Sequence, residues 1–449
     1  MPACDRLIVF TRYPEPGRNK TRLIPALGAV GAARLHDRMV RHTLNWAERL
    51  VASQPIDLQI QFTGADETAM AECFGSQFVY VSQCEGDLGH RLERAFHESF
   101  AGGACRVVVV GTDCPGLSEE VVRHAFDHLR DHDFVIGPAA DGGYYLIGLA
   151  RHAASLFCNI AWSTDQVLEQ TLAAAIEADL SIAVLPTLED VDRPEDLERW
   201  EQAQATTDRS SKATMTVVIP TLNEEPLLES TIESAASNND TERIIVAAGR
   251  FQESLRLAVK HRCRFLTSPP GRAQQMNTGA RAPSTAVLLF LHADTRLPTG
   301  FKAAVDSALS KHGIVAGAFS LKIDTHGWKY RLIEWGIARR SRWCQMPYGD
   351  QALFLARHTF ERLGGFCNLP IMEDFDFVRR LRRIGQIAIS PLPVRTSARR
   401  WQELGPLRTT CINQMMILGY YLGLPCTRLA NLVSSPKSDL SRERRSAAR

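Results

Sequence analysis

Carboxylates that close apolar runs are the residues of this sequence best placed to do chemistry. Asp294 ends Val287-Leu288-Leu289-Phe290-Leu291-His292-Ala293-Asp294, and Asp113 ends Val107-Val108-Val109-Val110-Gly111-Thr112-Asp113. Such runs have the pattern of strands buried on both faces of a parallel sheet. Ligands of open α/β sheets bind at the carboxyl ends of these strands. A carboxylate there can hold a divalent metal and, through it, a diphosphate; the alternative is that it caps a turn. Asp141 precedes Gly142-Gly143 and another apolar run, and the two glycines permit close backbone approach. Asp113 and Asp141, converging at one sheet edge, could share an ion in an oxygen shell of the magnesium type. Asp294 stands without a second acid, because His292 occupies the place of the first residue of a D-x-D pair.

Cationic and amide side chains accompany these acids. Pro14-Glu15-Pro16-Gly17-Arg18-Asn19-Lys20-Thr21-Arg22 packs three bases into five positions, which suits a di- or triphosphate or forms a solvated basic turn. It is no Walker loop, since G-x-x-x-x-G-K-[ST] is absent. Asp87 opens a helical segment, either as its cap or as a nucleotide contact. In the second half, Ser268-Pro269-Pro270-Gly271 precedes a helix that begins at Arg272 and contains Asn277; its N-terminus can face phosphates. Glu373, Asp374 and Asp376 begin a helix whose later turns carry arginines. That arrangement satisfies the helix dipole; it also offers a carboxylate that could act as general base toward an acceptor hydroxyl. Asp190 to Leu197 reads as a structural helix start, with an acid cap and an early proline.

The elements that must position these groups follow from patterning. Short apolar runs near Leu7–Phe10, Ile56–Phe62, Phe78–Val81, Val107–Val110, Phe134–Ile136, Tyr144–Ile147 and Ile182–Val184 alternate with helical patterns at about 28–52, 88–101, 118–131 and 164–178. This βα alternation predicts a mainly parallel sheet covered on both faces. With 449 residues the chain needs more than one domain. Residues 1–203 form the first, 204–214 a polar linker, 215–433 the second and 434–449 a disordered basic tail. A net charge of +2 gives no footing for nucleic acid. Eleven scattered cysteines without C-x-x-C fit reduced thiols and a cytoplasmic protein. No leader peptide precedes the first strand. The apolar stretch 411–424 is too short to span a bilayer and contains Asn413 and Gln414. It reads as a packed helix, with contact at a membrane interface as the alternative.

Two sets of motifs carry a family resemblance. VFTRYPEPGRNKTRLIPALG, GDLGHRL, GTDCPGL, DGGYYLIGL, WSTDQVLEQT and DVDRPEDL resemble the rSAM/selenodomain-associated transferase 1 family, related to nucleotidyltransferases of the molybdenum-cofactor and 2-phospholactate type. VVIPTLNEE, SPPGRAQQMNTGA, LLFLHADTRLP, YGDQALFL, LGGF, MEDFDFVRRLRR and TSARRW resemble family 2 glycosyltransferases, and more closely the rSAM/selenodomain-associated transferase 2 family. The resemblance implies two tandem GT-A-like (Rossmann-like) α/β domains and a bifunctional transferase. For the first half it implies phosphate contacts from Arg18, Lys20 and Arg22 and a metal at Asp113 and Asp141. For the second it implies a nucleotide loop of Pro220, Asn223 and Glu224, a metal (Mg or Mn) at Asp294 and Asp374 of the Glu373-Asp374 pair as base. Arg399, Arg400 and Trp401 would then meet diphosphate or acceptor. The partners implied are a nucleotide-sugar donor and a small-molecule or lipid acceptor. One departure stands out: the family's Asp after the second strand is replaced by Val246-Ala247-Ala248. This leaves recognition of uridine open, and with it the reading that one half only binds nucleotide or serves as a scaffold.

Overall fold

The computed structural model describes residues 5–197, 200, 214–223, 225–236, 241–281 and 285–433, the side chains of 400, 403–404, 406–407, 411 and 431–433 excepted. Glu224, residues 204–213 of the expected linker and the expected tail 434–449 lie outside the described residues. The chain divides into two compact units, one of residues 1–211 with 258–267 and the other of residues 212–257 with 268–449.

The first unit runs β1 (Asp5–Arg12), α1 (Ile24–Ser53), β2 (Ile56–Thr63), α2 (Glu67–Phe74), β3 (Val79–Ser82), α3 (Leu88–Ala101), β4 (Arg106–Val110), α4 (Glu119–His128), β5 (Phe134–Pro138), β6 (Tyr144–Leu149), α5 (Val167–Glu177) and β7 (Ile182–Val184). Its strands lie in the order β7-β5-β6-β4-β1-β2-β3. All neighbours are parallel except β6, which runs against both β4 and β5. Val107 and Val108 of β4 and Leu7 to Val9 of β1 are fully buried, as unbroken apolar runs demand. Helix α1 buries Ala32, Leu35, Met39 and Val40 at helical spacing. It also bends at Gly28, whose φ of 70° lies in the left-handed region. Leu23, Leu35 and Met39 share a core cluster with Val191 and Trp200. This ties the basic turn before α1 to the segment around Asp190.

The second unit runs β8 (Met215–Leu222), α6 (Leu228–Ser234), β9 (Thr241–Ala248) and α7 (Gln252–Lys260). The strand β10 (Arg264–Thr267) is counted with the first unit, where it pairs antiparallel with β7. The second unit resumes with α8 (Arg272–Arg281), β11 (Val287–Phe290), β12 (Thr295–Arg296), α9 (Phe301–Leu309), β13 (Ile314–Ile323), α10 (Trp328–Trp343), β14 (Phe354–Ala356), α11 (Arg357–Arg362), α12 (Glu373–Arg382), β15 (Gln386–Thr396), α13 (Arg399–Leu404), α14 (Pro406–Tyr421) and α15 (Cys426–Val433). Strands β11, β8 and β9 are parallel neighbours, and β14 adds antiparallel beside β11. Gln275 of α8 is buried and donates to the carbonyls of Thr221 (2.6 Å) and Val246 (2.8 Å). One side chain thus fixes the helix across the ends of two strands.

One expectation is corrected. Among the described cysteines eight are free thiols, but Cys105 is disulfide-bonded. The stretch 411–424 is helical to Tyr421 and buries Met416, while Met415, Leu418, Tyr421, Leu422 and Leu424 are exposed. No helix among the described residues is long and apolar enough to cross a membrane.

Candidate functional site

In the second unit three separate segments meet beyond the end of β11. The chain turns through His292-Ala293-Asp294 into β12, and Thr295 donates its hydroxyl to Asp294 Oδ1 at 3.3 Å. A tight turn, Gly349–Gln351, is pinned from below by the fully buried Gln351. The amide of Gln351 donates to the Phe319 carbonyl (2.9 Å), and its oxygen accepts from Ser341 (2.8 Å) and from the Tyr348 N–H (3.2 Å). Helix α12 begins with Glu373 and Asp374. Asp374 Oδ2 accepts from the Gly349 N–H and Oδ1 from the Phe375 N–H, both at 2.7 Å. A Cβ on Gly349 would lie 2.9 Å from His292 Nε2 and 3.0 Å from Asp374 Oδ2. Only a glycine lets strand end, turn and helix start come this close. Asn223, Ala352 and Met372 all take left-handed backbone at the turns around the site. For Ala352 and Met372 that strain costs on the order of 1 kcal/mol each.

The charges here are unevenly paired. Arg399 clamps Glu225 with two contacts of 2.7 and 3.2 Å. Burial and the neighbouring Glu225 push the Asp294 carboxyl up, against Arg399 and the Thr295 hydroxyl. Glu373 is buried and lies 3.4 Å from Arg272; burial and Asp374 raise its carboxyl, with Arg272 opposing. Asp350 is pushed up to about 6, chiefly by burial, with Asp374 and Asp294 adding and Arg340 and Arg272 opposing. Its Oδ1 is buried without a hydrogen-bond partner, as is Nε2 of His292. Burial and Arg272 hold His292 at about 3, so its ring is neutral. Asp350 also lines a largely apolar cavity of about 620 Å³ together with Trp401.

The first unit arranges its acids around a lysine. Lys20, in a left-handed conformation, is almost fully buried and sits 2.9 Å from Asp113 and 3.9 Å from Asp192. Arg22 also pairs with Asp192. The Asp113 side chain is half exposed; desolvation by the protein around it opposes its charge, but the Lys20 ammonium and then His36 outweigh this and hold the carboxyl below its usual range. Asp190 goes the other way, pushed up by burial and by Asp141. The Val191 N–H donates to the Asp113 carbonyl at 3.0 Å and the Ala140 N–H to Leu188 at 3.0 Å, which brings loops 113, 139–141 and 188–192 together. Asp141 is exposed and accepts from the Gly143 N–H at 2.9 Å.

Several sequence expectations change role. Asp87 caps α3, accepting from the His90 N–H at 2.8 Å, with no part in the Lys20 cluster. Asn277 pairs with the backbone of Phe366, donating to its carbonyl (2.8 Å) and accepting from its N–H (2.9 Å); it holds a loop. Arg18 faces Glu15 at 3.3 Å. Pro220 lies inside β8 and is buried. Asn223 accepts from the Arg250 N–H at 3.2 Å and shapes the loop after β8. Arg400 falls in α13, its side chain outside the described residues. Asp190, Asp192, Glu225 and Asp350 are the acids that sequence reasoning did not single out as site residues. Among the described residues, no group of three ligand side chains converging within 4.8 Å includes Asp113, Asp141 or Asp294.

Comparison with known proteins agrees with this division. Residues 45–164 match the family described as "uncharacterized protein conserved in bacteria (DUF2064)", and residues 216–367 match glycosyl transferase family 2. The chain joins a DUF2064 domain to a family 2 glycosyl transferase domain. A curated relative, the phosphoenolpyruvate guanylyltransferase of Chloroflexus aggregans, is 28% identical over 121 residues. That match takes in 26% of this chain and spans 59% of the relative's length. A solved protein from Desulfovibrio desulfuricans G20, provisionally named a nucleotide-diphospho-sugar transferase, is 33% identical, with a TM-score of 0.43 over 46% of this chain and 92% of that one. Glucosyl-3-phosphoglycerate synthase of Mycobacterium tuberculosis, solved with Mn2+, UDP and glucosyl-3-phosphoglycerate, is 19% identical, with a TM-score of 0.32 over 42% and 72%.

Proposed function

We propose that the second unit transfers a glycosyl group, with inversion, from a nucleotide-diphosphate sugar to an acceptor hydroxyl. The observation that carries this reading is the meeting of Asp294, Asp350 and Asp374 with Arg272 at one strand end, beside a cavity that Asp350 lines. The donor set of Asp294 and Glu225 is all carboxylate oxygen, carries more negative charge than Arg399 offsets, and so fits a hard divalent cation such as Mg or Mn. Bound there, such an ion would neutralise charge growing on the departing diphosphate. Arg272, at the start of α8, meets phosphate together with the helix N-terminus. In the transfer the acceptor oxygen bonds to the anomeric carbon, the bond to the diphosphate oxygen breaks with its electron pair, and the hydroxyl proton passes to a carboxylate.

Asp350 suits that last role better than Asp374. Both oxygens of Asp374 already accept backbone N–H groups and are committed to the turn and the helix start. Asp350 keeps one buried oxygen free and has the raised affinity for protons that a general base needs. Asp374 then holds the turn that aims Asp350. The test is nucleoside-diphosphate release by the full chain across a panel of nucleotide sugars with Mn2+. Asp350→Asn should lower kcat about 10²–10⁴-fold with little change in donor KM; a fully active variant would move the base elsewhere.

For the first unit we infer nucleotidyl transfer, in which an oxygen of a small acid or its phosphate attacks the α-phosphorus of a nucleoside triphosphate and pyrophosphate leaves. The 28% identical relative named a guanylyltransferase supports it, as do Lys20 and Arg22 among four acids that a divalent ion could bridge. The joined reading is a bifunctional, cytoplasmic enzyme acting on a small-molecule or lipid acceptor. A second reading, that one half binds nucleotide without turnover, rests on the buried Ala247 at the end of β9.

A further inference from the structure

We infer that the acceptor of the second unit is an amphiphile: a hydroxyl carried on an apolar chain, with the chain lying in the cavity between α10 and α14. The inference rests on the glycosyl-transfer reading and names its acceptor class. One wall of the cavity is Leu332, Ile333 and Ile337 of α10; the facing wall on α14 carries Ile417 and Tyr421 beside Thr410, Asn413 and Gln414, and Asp350 lines the cavity too. A volume of about 620 Å³ falls in the range of pockets that enclose whole ligands, roughly 300–1,000 Å³. Most of the lining is apolar, which a sugar or small acid would leave uncovered, whereas an alkyl or prenyl chain gains from the burial of each methylene against it; the polar groups of α14 and Asp350 are left for the hydroxyl end. Among the described residues, the single buried carboxylate oxygen without a partner, Oδ1 of Asp350, marks where the chain's hydroxyl ends.

The exposed surface of the two helices that wall the cavity is apolar as well. Of fifteen exposed large apolar side chains among the described residues, nine lie on α10 or between Met415 and Leu424. Trp328 and Trp343 are 73% and 74% exposed. Cations accompany the rings: Arg339 stands 3.9 Å from the ring centroid of Trp343 and 5.1 Å from that of Trp335, and Lys329 lies 5.9 Å from that of Trp328. Tryptophan with basic neighbours around an apolar face is the composition of elements that rest in a lipid headgroup layer. That surface suits a bilayer from which an amphiphile could pass to the cavity, which Trp328, Leu332 and Tyr421 join to it.

Gly336 supplies a clean test, because it faces the cavity and a Cβ there meets nothing within 4 Å. Gly336→Phe should fill the cavity while improving helix propensity. The full chain is titrated with 11-bromoundecanol below its micelle concentration, with 4-bromobutanol and with vesicles of dibromostearoyl phosphatidylcholine containing phosphatidylglycerol. The readout is quenching of tryptophan fluorescence. Saturable quenching by the long alcohol, at least tenfold weaker with the short one and in Gly336→Phe, is the expected result. Quenching by the vesicles together with co-sedimentation that falls in Trp335→Ser and Trp343→Ser makes the source a bilayer lipid; quenching by the free alcohol alone makes it a dispersed amphiphile. Equal quenching of wild type and Gly336→Phe overturns the inference, as does a dimer dispersed by Trp335→Ser without chain-length dependence. Binding is read without donor, so failed glycosyl transfer with intact quenching defeats the catalytic reading and not the cavity's occupant.

Discussion

The two units both end a buried strand in an aspartate, yet they balance its charge in opposite ways. Asp113 has a lysine ammonium 2.9 Å away and is held in its charged form. Asp294 has Glu225 for a neighbour, and its nearest opposing cation, Arg399, is already committed to Glu225. At Asp113 the protein itself thus supplies the counter-charge, although the four acids there outnumber Lys20 and Arg22; Asp294 has no cation of its own among the described residues and depends on something else to offset its charge. A site whose own lysine covers its aspartate must exchange partners when a phosphate arrives. A site whose aspartate has no cation of its own needs one before it can accept a diphosphate at all.

Removing the charge of Asp294 should break the second site outright. Asp294→Asn is expected to lower nucleotide-sugar turnover about 10²–10³-fold and to abolish the Mn2+-dependent part of the donor's thermal shift. Retention of that metal-dependent shift would mean that the cation is held elsewhere.

The next effect is on stability. Asp350 titrates at about 6 in the folded protein, above its value in an unfolded chain, roughly 3.9. The folded state therefore binds more protons between those limits, and stability falls as pH rises through them. Asp350→Asn removes that loss. The variant should match wild type near pH 4 and become more stable from pH 6 upward, by at most about 3 kcal/mol, the value of two pKa units. Thermal melts across pH 4 to 8 read it directly. A gap that does not widen with pH would show that Asp350 is relieved of its burial by a partner.

Much of this architecture was legible in the sequence because buried parallel strands are written as unbroken apolar runs. The runs at Val107–Val110 and Val287–Leu291 announced both strand ends and hence Asp113 and Asp294. The short helix α2 left no such trace, having only two buried residues, Met70 and Phe74. Roles within the sites were less visible, since they depend on contacts far apart in the chain. Asn277 and Asp87 have the same residue types whether they bind phosphate or a backbone, and the structure gives them to the backbone. Asp190 and Asp192 look like the start of a helix; they face Lys20 only because Val191 is anchored in the core beside Leu23. Asp350 offered one faint signal. It follows a glycine in a turn ahead of an apolar strand, where close approach by other segments is to be expected.

The smallest effect tests the exchange of partners at Lys20. In the unliganded protein Lys20 occupies Asp113 and lies near Asp192, so a triphosphate and a divalent ion compete for opposite members of the same pair. Lys20→Ala should then move two affinities in opposite directions. Triphosphate binding should weaken about fivefold, near 1 kcal/mol, because one phosphate contact is lost. Binding of Mn2+ alone should tighten, because Asp113 and Asp192 lose the cation that neutralised them. Isothermal titration of the full chain with each ligand separates the cases. If both affinities fall, Lys20 serves to hold the loop together, and the contrast between an aspartate covered by its own lysine and a cation-dependent one disappears.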